Sequence, residues 1–188
     1  HHLPPPVLPS ATAILNPRQA GCAYPFKELC GVGIAFKLLQ ALFGPEAEEE
    51  VWPFLDLVAL GTIADLVPLL GENRILVKHG LAELERSFAG GRPGLWALAE
   101  MAGISISDSK RVGVGQVAFG LAPRINAAGR LDDAASGVRL LLTRDPSEAR
   151  ELATKLDRQN RERQDIEETI LVEALARAES EHDLRRDR

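Results

Sequence analysis

The sequence has 188 residues, an apolar share of 45%, a formal net charge of −5 and a pI near 5.5. That supports one packed core, excludes a disordered chain, and contains no apolar run near the ~20 residues that a bilayer span needs. The acidic balance speaks against a protein that coats nucleic acid with a broad basic face. It leaves room for an enzyme that grips a few phosphates with Arg and holds metal ions with acids.

The opening HHLPPPVLP is Pro-rich and reads as an extended loop, because proline lacks the amide donor and disfavours helix. It lacks the basic-then-apolar order of a secretory signal, so the expected compartment is the cytoplasm. No Met stands at position 1, so either the start was trimmed or the chain begins inside a longer protein. A short strand is expected at Ala11–Leu15, closed by Asn16-Pro17. Gly31–Phe43 reads as an almost wholly apolar, buried helix ending at Gly44-Pro45.

Glu46–Val58 carries acids at its front, which favours a helix start. The apolar pattern continues to Leu70, interrupted at Gly61-Thr62 and stopped at Pro68. Asn73–Ser87 is an amphipathic helix, with Ile75, Leu76, His79, Leu81 and Leu84 at helical spacing. Leu95–Ala102 reads as a further helix, Val112–Leu121 as a Gly-interrupted apolar stretch, and Ala134–Leu142 as a short helix. Asp145-Pro146-Ser147-Glu148 is a strong helix start. About 35 residues then run without Gly or Pro, and their apolar stripe is thin. A long, mostly wet helix of this kind joins domains or pairs with another chain.

Cys22 and Cys30 have neither metal-site nor disulfide-framework spacing, and are expected to be reduced thiols.

Three features could carry chemistry. His1-His2 reads either as the remnant of a tag or as part of a site; the Pro-rich loop after it looks native. Asp65, in GTIADLVPL, is costly to bury unless it is paired or binds metal, and both readings stay open. Asp56 shares that ambiguity. Nine residues away on a helix, it would face away from Asp65, so joint ligation is not expected. The third feature is FGLAPRINAAGRL. Arg124 and Arg130 could clamp phosphate bidentately and Asn126 could orient substrate. The alternative is a turn in which Arg partners Asp132 and Asp133.

The segments HHLPPPVLPSATAILNP, YPFKELCGVGIAFKLL, FLDLVALGTIADLVPLLGENR, PRINAAGRLDDA and LDRQNRERQDIE occur in an order that resembles RecJ-type single-stranded-DNA exonucleases. These belong to the DHH phosphoesterase superfamily. The resemblance implies an α/β fold: the mostly helical later part of a Rossmann-like DHH domain over residues 1–143. A long interdomain connector helix would follow over residues 144–188. It implies His1 and Asp65 as metal ligands, with His2 and Asp65 catalytic. Arg124, Asn126 and Arg130 would contact substrate, and two Mn²⁺ or Mg²⁺ ions would act in the complete enzyme. The implied reaction is 5′→3′ release of 5′-mononucleotides from single-stranded DNA, in repair and recombination, with helicase and single-strand-binding protein as further partners. The Asp-rich metal motifs and the second catalytic domain, DHHA1, are expected outside these residues, so the 188-residue chain itself is expected to lack nuclease activity. Another DHH phosphodiesterase or pyrophosphatase, a non-catalytic RecJ-like replication scaffold, and a helical interaction module remain as alternatives.

Overall fold

In the computed structural model, residues 1–104, 111–131 and 134–181 are described. Residues 1–30 are irregular and extended, and helices follow: α1 Gly31–Phe43, α2 Glu48–Val51, α3 Leu55–Ala64, α4 Gly71–Arg86, α5 Pro93–Met101, α6 Val114–Gln116, α7 Ala122–Leu131, α8 Ala135–Leu142 and α9 Pro146–Glu181. Among the described residues there is no strand, so what is present is helical.

The strand expected at Ala11–Leu15 does not form. A strand needs a neighbour to complete its ladder, and local side chains take the carbonyls instead. Gln19 Nε2 donates to the Ile14 carbonyl at 2.8 Å, and Asn16 Nδ2 donates to the His2 carbonyl at 2.8 Å.

The helix expected over Glu46–Val58 is broken into α2, a tight turn at Trp52–Phe54, and α3. Pro53 accounts for the break, since it cannot donate to the ladder and crowds the preceding turn. By contrast, α3 runs straight through Gly61-Thr62. Gly61 is there for packing: a Cβ at that position would lie 2.7 Å from Val32 Cγ1. On the other side of α3, a Cβ on Gly80 of α4 would fall 2.3 Å from the Leu55 carbonyl oxygen. Thus α1 and α4 both approach α3 closely.

This sandwiching explains why α3 is apolar on all sides. Leu55, Val58, Ala59, Leu60, Thr62 and Ile63 are all buried. One core joins Leu29, Phe36, Val51, Leu55, Val58 and Leu76 between α1, α3 and α4. A second gathers α4, α5, α7 and α8 around Leu84, Leu95, Leu98, Leu121, Leu140 and Leu156, all fully buried. The first half of α9 closes this second core through Ala149, Ala153 and Leu156. Asp145 caps α9, its Oδ1 accepting from the Ser147 amide at 2.9 Å. Beyond residue 164, Ile166, Ile170, Leu171, Val172 and Leu175 are exposed. Among the described residues, no helix is long and apolar enough to cross a membrane. Cys22 and Cys30 are free, and Cys30 Sγ lies 3.2 Å from Thr62 Oγ1 in the interior.

Candidate metal and nucleic-acid site

The end of α3 delivers Asp65. Its amide donates to the Gly61 carbonyl at 3.0 Å, so it is the last residue held by the helix. Leu66 then turns the chain with φ +56°, the one non-glycine residue with positive φ among the described residues. An L side chain in that region costs roughly 1 kcal/mol or more. The turn directs the Asp65 carboxylate outward, its side chain 35% exposed.

The extended start of the chain brings His1 to the same place. The His1 ring lies over Gly31 at the head of α1, where a Cβ would be 3.5 Å from Nδ1. His1 Nε2 and Asp65 Oδ2 are 3.0 Å apart. Yet Nε2, itself buried, has no hydrogen-bond partner. The two atoms are at ion-pair distance without being aligned as hydrogen-bond donor and acceptor. His2 packs on His1 with ring centroids 3.9 Å apart, and its carbonyl is anchored by Asn16. Asn16 is in turn fixed by the Arg18 amide donating to its Oδ1 at 3.0 Å.

Opposite Asp65, α7 supplies Asn126 and Gly129. With Gly61 and Ala64 they line a cleft of about 400 Å³. A second cleft shares Ala64 and Asn126 and continues past Leu66 and Pro123 to Arg163 of α9. The structure therefore brings together His1, His2, Asp65 and Asn126.

It does not bring Arg124 there. Arg124 Nε donates to Asp157 Oδ1 at 2.9 Å, Nη1 to the Gly120 carbonyl at 2.6 Å, and Nη2 to the Met101 carbonyl at 3.2 Å. Each nitrogen has a protein acceptor, so Arg124 braces α7, α5 and α9. Its acidic partner is Asp157. Asp132 and Asp133 lie outside the described residues. Arg130 follows Gly129 on α7, and its side chain also lies outside them.

Asp56 takes the structural role. It is 1% exposed and accepts from Ser87 Oγ at 2.6 Å, Arg92 Nε at 2.7 Å and the Leu57 amide at 2.6 Å. It is the partner of a buried Arg and no joint ligand with Asp65. Leu66 and Arg163 were not singled out by the sequence. The signal for Arg163 was the spacing Asn160, Arg163, Glu167, one face of a helix, hidden in a run of charge.

His1 and Asp65 are two donors, one imidazole and one carboxylate. Among the described residues, no group of three or more His, Cys, Asp or Glu could hold a metal ion. The pair nonetheless fits a divalent ion, because a buried imidazole nitrogen with no aligned hydrogen bond and a carboxylate oxygen converge to 3.0 Å.

Residues 1–62 match the model of the DHH family N-terminal domain. Over those residues the chain is similar to the DHH family. It is also similar to the single-stranded-DNA-specific exonuclease RecJ of Bacillus subtilis, 46% identical over 96% of this chain and 22% of that protein. The RecJ of Escherichia coli is 43% identical over 95% of this chain and 32% of that protein. Among solved structures, RecJ from Thermus thermophilus in complex with Mn²⁺ matches with a TM-score of 0.76 and 39% identity, covering 95% of this chain and 26% of that one. The Mg²⁺ complex of that protein matches with a TM-score of 0.69 and 42% identity, over 83% of this chain and 24% of that one. The chain thus spans less than a third of the length of these relatives.

Proposed function

We propose that this chain is part of a metal-dependent exonuclease of RecJ type, which hydrolyses single-stranded DNA to 5′-mononucleotides from the 5′ end. The observation that carries the reading is the His1–Asp65 pair: a buried Nε2 without an aligned hydrogen bond, 3.0 Å from a carboxylate oxygen of the residue that lines the cleft. In this reading His1 and Asp65 hold Mn²⁺ or Mg²⁺ together with aspartates outside the described residues. The helices are the later part of an α/β DHH domain over residues 1–143, and α9 is the connector to a second catalytic domain.

Bound divalent ions would supply charge neutralisation at the phosphate and an activated water. The chain's own residues do the rest. Asp65, presented by the strained turn at Leu66, fixes one carboxylate in the cleft. His2, beside His1, faces the scissile phosphate. Asn126 orients the strand by hydrogen bonding, and Arg130 adds positive charge at developing phosphate oxygens. Work on DNA during repair and recombination, in contact with helicase and single-strand-binding protein, belongs to the same reading.

Paramagnetic broadening by Mn²⁺ tests the pair even at weak affinity. The His1 ring protons should broaden at Mn²⁺ levels that spare the exposed His79, and Asp65→Asn should abolish the difference. Equal broadening of both rings in the wild type overturns the proposal. Two donors are too few for two ions. The 188-residue chain with Mn²⁺ and 5′-labelled single-stranded DNA is therefore expected to release no mononucleotide. Release that Asp65→Ala abolishes would show a complete site instead.

A further inference from the structure

We propose that Arg163, on the long helix α9, binds a backbone phosphate of the single strand that crosses the cleft beside Asp65. This rests on the function proposed above and adds a contact outside the motifs that suggested it.

The two clefts at the end of α3 form one surface, because Ala64 and Asn126 line both. One end holds Asp65; the other holds Arg163. The walls between are small or apolar, with Ile63, Ala118, Ala122 and Pro123 among them. Among the described residues lining either cleft, Arg163 is the cationic one. A polyanion laid along this surface therefore meets Arg163 as its source of positive charge.

The side chain is set up for that task. It is only 20% exposed, and Nη2 donates to Asn160 Oδ1 at 3.2 Å while Nη1 donates to Glu167. Asn160 is itself 4% exposed. Holding the guanidinium in place beforehand lowers the ordering cost of binding. Glu167 is 55% exposed, and an exposed i,i+4 pair contributes only ~0.3–0.5 kcal/mol. A phosphate can displace or share it. Other cations nearby are engaged elsewhere: Arg124 and Arg161 both bind Asp157. Leu66, 84% exposed, stands on the same wall and offers an apolar surface to sugar or base.

The test is fluorescence anisotropy of labelled oligo(dT) with the 188-residue chain, without metal, across a salt series. Loss of one phosphate contact lowers the slope of log K against log salt by about 0.7 on a single strand. Arg163→Gln should show that decrease and bind roughly tenfold more weakly at low salt. Arg163→Lys should keep most of the slope. Glu167→Gln should tighten binding by about twofold, since it removes the competing carboxylate. A purely structural Arg163 would not produce that gain. Wild-type binding with an unchanged slope in Arg163→Gln overturns the inference alone, and the Mn²⁺ broadening at His1 is read independently of it. Absence of any oligo(dT) binding by the wild type overturns the inference outright. Should Arg163→Gln unfold, Glu167→Gln decides: tightening supports the contact and no change refutes it.

Discussion

Arg124 of α7 and Asp157 of α9 form a partly buried ion pair, with Nη2 2.8 Å and Nε 2.9 Å from the same carboxylate oxygen. The PRINAAGR motif therefore fastens the long helix to the body, close to the cleft that Asn126, two residues on, lines from the same helix.

Breaking this pair leaves a nearly buried carboxylate with only the exposed Arg161 for a partner. Arg124→Ala is expected to destabilise the fold by about 2–4 kcal/mol. Lys cannot reproduce the three-way contact, so Arg124→Lys should recover less than half of that loss. Urea denaturation with unchanged m-value reads both. A loss under ~0.5 kcal/mol for the Ala variant, the level of an exposed pair, would count against the brace.

Alkaline pH should weaken the fold through Tyr24. Burial holds its phenol proton well beyond the usual range, helped by the hydroxyl donating to Glu72 Oε2 at 2.7 Å and by that carboxylate's charge. A folded-state pKa raised above the unfolded value of 10.0 means full stabilisation below pH 10. Above that pH the unfolded chain ionises while the folded one does not, and stability falls. Tyr24→Phe should cost about 1 kcal/mol at neutral pH and flatten the decline above pH 10. An unaltered alkaline slope in the variant would exclude Tyr24 as its cause.

Gly80→Ala places a methyl group against the Leu55 carbonyl and the Ala59 methyl. The backbone cannot move aside cheaply, so the substitution should destabilise by about 1–3 kcal/mol or more, despite alanine's better helix propensity. Thermal denaturation checks this. A rise in Tm would mean that α3 and α4 do not approach this closely.

At Leu66 the backbone itself sets the expectation. Leu66→Gly relieves the positive φ and, with the side chain largely in solvent, should be neutral or stabilising by up to ~1 kcal/mol. Leu66→Val should destabilise, since a β-branched residue suits that region worst. Equal stability of the two variants in chemical denaturation would refute a left-handed turn after Asp65.

Helices were the most readable part of the sequence. Asp145-Pro146, the Gly44 stop and the apolar face of α4 carried local signals that tertiary contacts did not override. Failures came where the deciding partner was distant. Ala11–Leu15 has strand composition but no strand beside it. Gly61 resembles a breaker until Val32 is placed against it. Asp56 and Asp65 are both acids in apolar runs, and only the fold separates the one facing Arg92 from the one facing His1. The two-histidine start and Asp65 stand out through motif resemblance, and the structure brings His1 and Asp65 to 3.0 Å. For Arg124 the spacing alone left a phosphate clamp and an acidic partner open, and the structure adds bonds to two backbone carbonyls and to Asp157.

The long helix has a mechanical consequence. At ~1.5 Å per residue, the 24 residues of α9 from Asp157 to its end at Glu181 reach about 36 Å beyond the Arg124 fastening. A tilt of ten degrees there would carry the far end through about 6 Å, while Arg163, two turns from the pivot, would move by under ~2 Å. The helix is a beam with its fulcrum beside the cleft, so whatever its outer end carries can swing widely while the inner end stays in register with the strand.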